Sequence, residues 1–271
     1  MNPIGILDSG VGGLSVLRHV RALLPQENLV YVADQAHVPY GRRDAAEIQA
    51  FSAGISQFLL DLNAKLIIVA CNTASAAALT TLRQTFPRVP FVGMEPAVKP
   101  GAAMTKSGKV GVLATAGTFE SQRYASLMHR YAQGVQLYEN PCHGLVELIE
   151  AGQGETQAAA TLLQTILSPM LAAGVDTLIL GCTHYPFVSP LLQTLAGPNV
   201  TLIDPAPAVV RQVMRVLQSQ RTPQNSSMPG RIQAYTTGDA PTFAALSQKL
   251  LGTALPTAPL FWTKSGRLNT S

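Results

Sequence analysis

The stretch "LILGCTHYPF", residues 178–187, carries an apolar run directly into a thiol, a hydroxyl and an imidazole. Thr177–Leu180 has the composition of a buried β-strand, and such a strand normally ends in turn residues. Here Cys182, Thr183 and His184 follow it instead. Because ligands bind beyond the carboxyl ends of strands in parallel sheets, this stretch is the first candidate for a functional site.

Similar apolar runs recur along the chain and alternate with helix-period segments such as Ala45–Leu62 and Thr156–Ala173. This alternation predicts an α/β fold, with a parallel sheet covered by helices on both faces. Continuous apolar strands are typical of sheets whose two faces are both buried. The predicted strands are Ile4–Leu7, Leu29–Val32, Leu66–Ala70, Pro90–Gly93, Val110–Ala114, Val135–Tyr138, Thr177–Leu180 and Val200–Ile203.

The two halves of the chain follow a similar plan. "PIGILDSGVGG" (3–13) and "KVGVLATAGT" (109–118) are each a short strand that runs into small and hydroxyl residues. At comparable intervals after them, "ACNT" (70–73) and "GCTH" (181–184) each place a cysteine after a strand. We therefore predict two pseudo-symmetric, doubly wound parallel-sheet domains, with an active site in the cleft between them and one cysteine on each wall.

The composition favours a globular protein with a large core, because 47% of the 271 residues are hydrophobic and only 13% are charged. The net charge is +4, but the nineteen Lys and Arg residues are dispersed, so we do not expect nucleic-acid binding as the main function. Three cysteines, an odd number, argue against a disulfide framework. "MNPIGILDSG" does not resemble a signal peptide, and no run reaches the ~18 apolar residues of a membrane span. We expect a soluble, cytoplasmic protein without a membrane partner.

The glycine-rich segment "DSGVGG" (8–13) follows a strand and is similar to a dinucleotide-binding turn. The third glycine of that pattern would be position 15, which is Ser15, and no Gly-Lys pair follows. Two interpretations remain open: a turn whose N–H groups hold a carboxylate, or a turn that only packs the helix. Asp8 needs either solvent or a proton partner at its strand end.

Cys71 and Cys182 both lie where a strand gives way to a helix or turn, a position that can lower a thiol pKa from ~8.5. A single buried cysteine is usually structural, but the shared position of these two favours a function. His184, two residues from Cys182, can act as its proton partner, and Asp8 can do the same for Cys71. Core packing is the preferred interpretation of Cys142, and a solvent-facing helix position is the default for Glu150.

Neither a metal nor an organic cofactor is expected. Zinc could draw on Cys71, Cys182, His184 and His143, but no paired Cys or His spacing is present. Pyridoxal phosphate requires a lysine, and Lys65 and Lys109 lie at the starts of strands, away from the motifs.

Eight segments together resemble the bacterial glutamate racemases, of the aspartate/glutamate racemase superfamily. They span nearly the whole chain in the family's order: "DSGVGGLSV" (8–16), "VPYG" (38–41), "CNTAS" (71–75), "TAGTFESQRY" (115–124), "LVELIEAG" (145–152), "GCTHYPF" (181–187), "LIDPA" (202–206) and "TTGD" (236–239). The resemblance implies a cofactor-independent interconversion of L- and D-glutamate that supplies D-glutamate for peptidoglycan. One segment departs from the family, which usually shows "CPxFVPLVE" where this chain has "CHGLVELIE" (142–150).

The resemblance also implies roles for individual residues. Cys71 and Cys182 would be the catalytic acid/base thiols, with Asp8 assisting the first, His184 assisting the second, and Glu150 orienting His184. The substrate would be held by Ser9, Tyr40, Gly41, Asn72, Thr73, Thr115, Thr118 and Thr183. The implied fold has two domains joined by a double crossover, residues 1–96 plus 208–271 and residues 97–207. We also expect a homodimer.

Two thiols suit the implied reaction, because inversion of an α-carbon requires proton removal on one face and proton delivery on the other. Two alternatives remain open. One is a superfamily relative acting on aspartate or a hydantoin, or a one-thiol decarboxylase. The other is a small-anion-binding regulator that has lost turnover.

Overall fold

The protein consists of two compact units. The computed structural model describes residues 2–219 and 228–270. Unit 1 contains the chain up to Met94 and from Ala206 onward, and unit 2 is Glu95–Pro205. Residues 220–227, which belong to the first of the predicted domains, lie outside the described residues.

The described residues form twelve strands and eleven α-helices. The strands are β1 Ile4–Asp8, β2 Leu29–Ala33, β3 Leu66–Val69, β4 Phe91–Gly93, β5 Lys109–Leu113, β6 Gln136–Asn140, β7 Thr177–Leu180, β8 Thr201–Ile203, β9 Ile232–Thr236, β10 Thr257–Pro259, β11 Phe261–Trp262 and β12 Leu268–Asn269. The helices are α1 Leu14–Leu23, α2 Ala45–Asp61, α3 Asn72–Thr85, α4 Val98–Met104, α5 Ala116–Phe119, α6 Gln122–Tyr131, α7 Leu145–Glu150, α8 Gln157–Ala172, α9 Ser189–Ala196, α10 Ala206–Ser219 and α11 Ala240–Leu251.

Unit 1 contains a six-stranded sheet in the order β10-β9-β2-β1-β3-β4, and every pairing in it is parallel. The central strands β1, β2 and β3 are buried along their whole length, as expected for apolar runs covered on both faces. A short antiparallel hairpin, β11–β12, lies outside this sheet. The start of α2 is fixed by a capping box, in which Asp44 and Glu47 each bond the other's backbone N–H.

Unit 2 contains a four-stranded parallel sheet in the order β6-β5-β7-β8. This order matches β2-β1-β3-β4 of unit 1, strand for strand along the sequence. The prediction of two pseudo-symmetric parallel-sheet domains is therefore confirmed. Among the described residues, no helix is both long and apolar enough to cross a membrane.

Two strands of the first sheet and the hairpin were not predicted from sequence. β9 alternates partly exposed with buried residues, and β10 has only three residues at the edge of the sheet. Neither has the continuous apolar run that marks the central strands. They extend the sheet of unit 1 from β2 outward and have no counterpart in the sheet of unit 2.

Candidate active site

The first half-site lies at the carboxyl ends of β1 and β3, which are neighbours in the sheet of unit 1. Asp8 is fully buried, and its Oδ1 accepts a hydrogen bond of 2.9 Å from Gly10 N. The Ser9 hydroxyl donates to the Cys71 sulfur across 3.8 Å, although the two residues are 62 positions apart. The parallel pairing thus brings Ser9 and Cys71 together.

The Cys71 thiol is the N-cap of α3. Its sulfur accepts the backbone N–H of Ala74 at 3.4 Å, and the residue is 6% exposed. A helix N-terminus carries partial positive charge, which favours the thiolate over the thiol. Helix formation by "NTASAAALTTLRQT" therefore places the sulfur where it can be deprotonated.

Asn72 and Thr73 form the first turn of α3, and each is only 4% exposed. Both side-chain amide atoms of Asn72 are buried without a hydrogen-bond partner in the part of the chain that the structure describes. Buried amides in folded proteins are nearly always hydrogen-bonded. A polar ligand beside Cys71 would satisfy this requirement.

Tyr40 and Gly41 lie in the 3-10 turn Tyr40–Arg42. The Tyr40 hydroxyl donates to Asp34 Oδ2 at 2.7 Å. Burial raises the pKa of Tyr40 well above its ordinary value, and the negative charges of Asp34, Cys71 and Asp8 raise it further. The phenol is therefore a hydrogen-bond donor throughout the neutral range.

Close packing in the turn after β1 requires a glycine at position 13. A Cβ at this position would lie 2.7 Å from the Asp8 Cβ and 2.8 Å from the Tyr31 hydroxyl. That hydroxyl in turn donates to Gly10 O at 2.6 Å. Of the two interpretations left open by the sequence, these contacts support the packing role for Gly13.

The second half-site follows β7 in unit 2. Cys182 Sγ lies 3.6 Å from His184 Nδ1, and His184 Nε2 lies 2.6 Å from Glu150 Oε1. The side chains of His184 and Glu150 are 3% and 12% exposed. Thiol, imidazole and carboxylate thus form one buried line of acid/base groups.

The charged form of His184 is favoured by its two partners. Burial by itself lowers the pKa of His184, but the hydrogen bonds and negative charges of Cys182 and Glu150 raise it well above its ordinary value. An imidazolium held at this place stabilises a neighbouring thiolate, as in other cysteine–histidine pairs.

Glu150 reaches His184 from the last residue of α7. That helix begins after Gly144, whose φ of 88° is left-handed and suits glycine. The departing segment "CHGLVELIE" thus forms a helix without the family's prolines. The default interpretation of Glu150 as a solvent-facing helix residue is wrong, because its carboxylate is bonded to His184.

The remaining predicted residues of unit 2 are threonines. Thr115 and Thr118 lie after β5, with their hydroxyl oxygens 3.0 Å apart. Thr118 and Thr183 are 1% and 3% exposed. These hydroxyls lie at strand ends in the same sheet as Cys182.

Cys142 is 2% exposed, with an unusual positive φ of 49°. Its backbone N–H donates to Asn140 Oδ1 at 2.8 Å, and its thiol donates to Asn140 O at 3.4 Å. Burial raises the pKa of Cys142 to about 12, against a lowering effect of Tyr185. This thiol stays protonated near neutral pH, which fits a packing role.

None of the three cysteines forms a disulfide bond. Within residues 2–219 and 228–270, no group of three His, Cys, Asp or Glu side chains is arranged to hold a metal ion.

A sequence profile described as Asp/Glu/Hydantoin racemase matches residues 12–213. The chain belongs to this racemase family. It is 51% identical over 251 residues to the glutamate racemase of Ectopseudomonas mendocina, covering 92% of this chain and 95% of that protein. It is also 55% identical over 218 residues to the glutamate racemase of Pseudomonas paraeruginosa, covering 80% of this chain and 82% of that protein.

The fold of this chain is also similar to that of a solved glutamate racemase structure. The glutamate racemase isoform RacE1 of Bacillus anthracis superposes with a TM-score of 0.86 at 31% identity, over 95% of this chain and 97% of that one.

Sequence reasoning gave no role to two residues that the geometry links to the first half-site. Asp34 directly follows the strand Leu29–Ala33, and an acid at that place carries the same signal as Asp8. Trp262 is 228 positions away from Asp34, and its indole N–H bonds that carboxylate. No local pattern marks such a contact.

Proposed function

We propose that this chain is a cofactor-independent glutamate racemase, which interconverts L- and D-glutamate and so supplies D-glutamate for peptidoglycan synthesis. One observation carries the proposal: each unit places a thiol at the end of the equivalent strand, beside groups that stabilise a thiolate. The names of the 51% and 55% identical relatives support glutamate as the substrate.

The reaction inverts the α-carbon by a proton transfer on each face. In one direction a thiolate removes the α-proton, and the other thiol returns a proton to the opposite face. In the reverse direction the two thiols exchange these roles. Both thiols must therefore be able to act as acid and as base, which requires pKa values that can be brought near the working pH.

The two thiols are assisted differently. For Cys71, the Ala74 N–H and the Ser9 hydroxyl contact the sulfur, and we assign buried Asp8 as the proton partner. For Cys182, His184 is the partner, and Glu150 orients the imidazole and stabilises its charge.

The α-proton of an amino acid is a weak acid, so the negative charge that develops as it leaves must be stabilised. We assign this role to polar groups that bind the α-carboxylate and the amino group. The Asn72 amide, which has no hydrogen-bond partner among the described residues, supports this assignment most directly. The other substrate-binding groups are Ser9, Tyr40, Gly41, Thr73, Thr115, Thr118 and Thr183. Preorganised donors of this kind each contribute on the order of 10²–10³-fold in kcat where they have been tested.

Optical rotation tests the activity. We expect the rotation of L-glutamate solutions to decay to zero with the purified protein, and D-glutamate to behave in the same way. L-aspartate, shorter by one methylene, should lose its rotation far more slowly. A protein that binds glutamate without any change in rotation would be the small-anion regulator, and faster racemisation of aspartate would identify a superfamily relative.

Cys71→Ser and Cys182→Ser test the two-thiol mechanism. A hydroxyl is a much weaker acid than a thiol, so each variant should fold, bind glutamate and lose racemisation almost completely. Cys142→Ser is the matched control and should turn over nearly normally. The mechanism fails if either of the first two variants keeps more than about a tenth of the wild-type kcat.

We further propose that the protein is a cytoplasmic homodimer. The absence of disulfide bonds among the three cysteines fits a reducing compartment. Light scattering coupled to size-exclusion chromatography should give twice the chain mass, and a monomer mass would contradict the dimer.

A further inference from the structure

The carboxylate of Asp34 is a buried hydrogen-bonding centre at the end of β2. Asp34 is fully buried. Two of its hydrogen-bond partners follow it closely in the sequence, and two come from the C-terminal segment of unit 1. The partners are His37 Nδ1 at 2.9 Å from Oδ2, the Tyr40 hydroxyl at 2.7 Å from Oδ2, and the Thr237 hydroxyl and Trp262 Nε1, each at 2.8 Å from Oδ1. A carboxylate that is shielded from water must have its oxygens hydrogen-bonded by the protein, and these four contacts meet that requirement.

Trp262 belongs to the hairpin β11–β12, which the sheet does not include. Its ring packs against Phe51 and His37, with centroid distances of 5.7 and 5.6 Å. The helix α2 approaches the hairpin so closely at Gly54 that a Cβ there would lie 2.6 Å from the Trp262 ring. Packing and a hydrogen bond therefore fix the indole at Asp34.

Tyr40 links this centre to the first half-site. Its hydroxyl bonds Asp34, and its ring lies in the same buried cluster as Cys71. The 3-10 turn Tyr40–Arg42 also packs against α3, the helix whose N-cap is Cys71. The Tyr40 ring also packs against Phe51, at a centroid distance of 5.9 Å.

We propose that Asp34 and Trp262 are positioning residues for the Cys71 half-site. The C-terminal hairpin fixes the Asp34 carboxylate, and Asp34 holds the Tyr40 hydroxyl so that the tyrosine ring packs beside Cys71. The inference rests on the proposed function for its catalytic consequence, but the arrangement of Asp34, Tyr40 and Cys71 can be tested without turnover. A side chain that does not touch the substrate can still affect the reaction, because it fixes the position of a side chain that does.

Trp262→Phe isolates the hydrogen bond, because phenylalanine keeps an aromatic ring against Phe51 and His37 but has no N–H for Asp34. We expect kcat/KM for glutamate to fall about tenfold, which is the scale of the loss when a group beside the reacting atoms is slightly displaced. The matched control is Phe261→Leu, on the same strand, since Phe261 is 55% exposed. It should keep wild-type kinetics.

Alkylation by iodoacetamide measures the half-site without turnover. In a Cys142→Ser, Cys182→Ser background, Cys71 is the remaining thiol, and its 6% exposure protects it. Adding Trp262→Phe should loosen the Tyr40 ring and speed alkylation of Cys71 by about threefold or more. In a Cys71→Ser, Cys142→Ser background, the rate for Cys182 should not change. An unchanged Cys71 rate, or an equal increase at both thiols, would overturn the inference.

A double-mutant cycle with Asp34→Asn tests the route of the effect. If Trp262 acts only through Asp34, Trp262→Phe should lower kcat/KM much less in the Asp34→Asn background than in the wild type. Additive losses would contradict the link. Absence of racemisation in the wild type would refute the proposed function alone, since the alkylation rates would still decide the positioning role.

Discussion

At the scale of single residues, the two thiols have different chemical surroundings. Cys71 is contacted by a backbone N–H and a hydroxyl, whereas Cys182 is contacted by an imidazole that is itself bonded to a carboxylate. A reaction that uses both thiols in each direction should therefore respond asymmetrically when only one set of partners is changed.

His184→Asn should lower kcat roughly 10²-fold in the direction in which Cys182 removes the α-proton, because the thiolate loses its cationic partner. The equilibrium constant between enantiomers is one, so kcat/KM must stay equal for the two directions. The asymmetry is therefore measured as an increased primary isotope effect with α-deuterated glutamate of one enantiomer only. Equal isotope effects with both enantiomers would assign His184 to binding instead.

Glu150→Gln is a more conservative change in the same row of hydrogen-bonded groups, Cys182, His184 and Glu150. Glutamine can still accept a hydrogen bond from His184 but removes the negative charge that helps to raise the histidine pKa. We expect the histidine pKa, followed by NMR of the imidazole, to fall toward its ordinary value, and the high-pH limit of activity to fall with it. Glu147→Gln, in the first turn of the same helix, is the matched control. An unchanged histidine titration would remove Glu150 from this role.

At the scale of secondary-structure elements, the sequence predicts the strands and helices that a local residue pattern marks. Central strands are continuous apolar runs, and the strand ends identify Asp8, Cys71 and Cys182, because a reactive side chain after such a run is unusual. The strands β9 and β10 and the hairpin β11–β12 are short or half-exposed, so their pairing depends on neighbours far along the chain. The bond of Trp262 to Asp34 and the reach of Glu150 to His184 were beyond prediction from the residues alone, because each joins separate elements.

The turn between α4 and β5 is held by a carboxylate at the start of β7. Asp176 Oδ2 accepts the backbone N–H groups of Lys106 and Ser107, each at 2.7 Å, while Oδ1 accepts the hydroxyls of Thr105 at 2.6 Å and Thr177 at 2.9 Å. Burial raises the pKa of Asp176, but these bonds together lower it well below its ordinary value.

Asp176→Asn should lower the free energy of unfolding by about 1–2 kcal/mol at pH 7, because the amide NH₂ would face donors. A lowered folded-state pKa stabilises the fold above the ordinary aspartate pKa, and that stabilisation is lost as pH falls toward the folded value. The difference between wild type and variant should therefore be full at pH 7 and shrink below about pH 4. Urea unfolding across this range measures it, and a difference independent of pH would exclude the charge as its source.

At the scale of the whole molecule, the residues assigned to the reaction supply acid/base and hydrogen-bonding groups from the polypeptide alone. We expect racemisation to survive extensive dialysis against a metal chelator and to require no added pyridoxal phosphate. Activity that disappears on dialysis and returns with a metal ion or with pyridoxal phosphate would refute the cofactor-independent mechanism.

The two units repeat one strand order but differ in how the chain builds them. Unit 1 is assembled from two segments, since β9 and β10 join the sheet after the chain has passed through unit 2. Unit 2 is one continuous segment with a complete four-stranded sheet. It also has its own buried cluster, which includes Val98, Val112, Tyr124 and Ile179.

A polypeptide of residues 95–205 should therefore fold by itself. Residues 1–94 should not, because β2 would lose its sheet neighbour β9 and α1 would lose the helices α10 and α11 that pack against it. Compact domains of about 100 residues with a single core commonly fold alone. The folded fragment should unfold cooperatively in urea and keep the raised pKa of His184, since Cys182 and Glu150 lie within the same segment. Cooperative unfolding with an ordinary histidine pKa would show that the acid/base line needs the rest of the chain. A fragment without cooperative unfolding would contradict the independence of the segment.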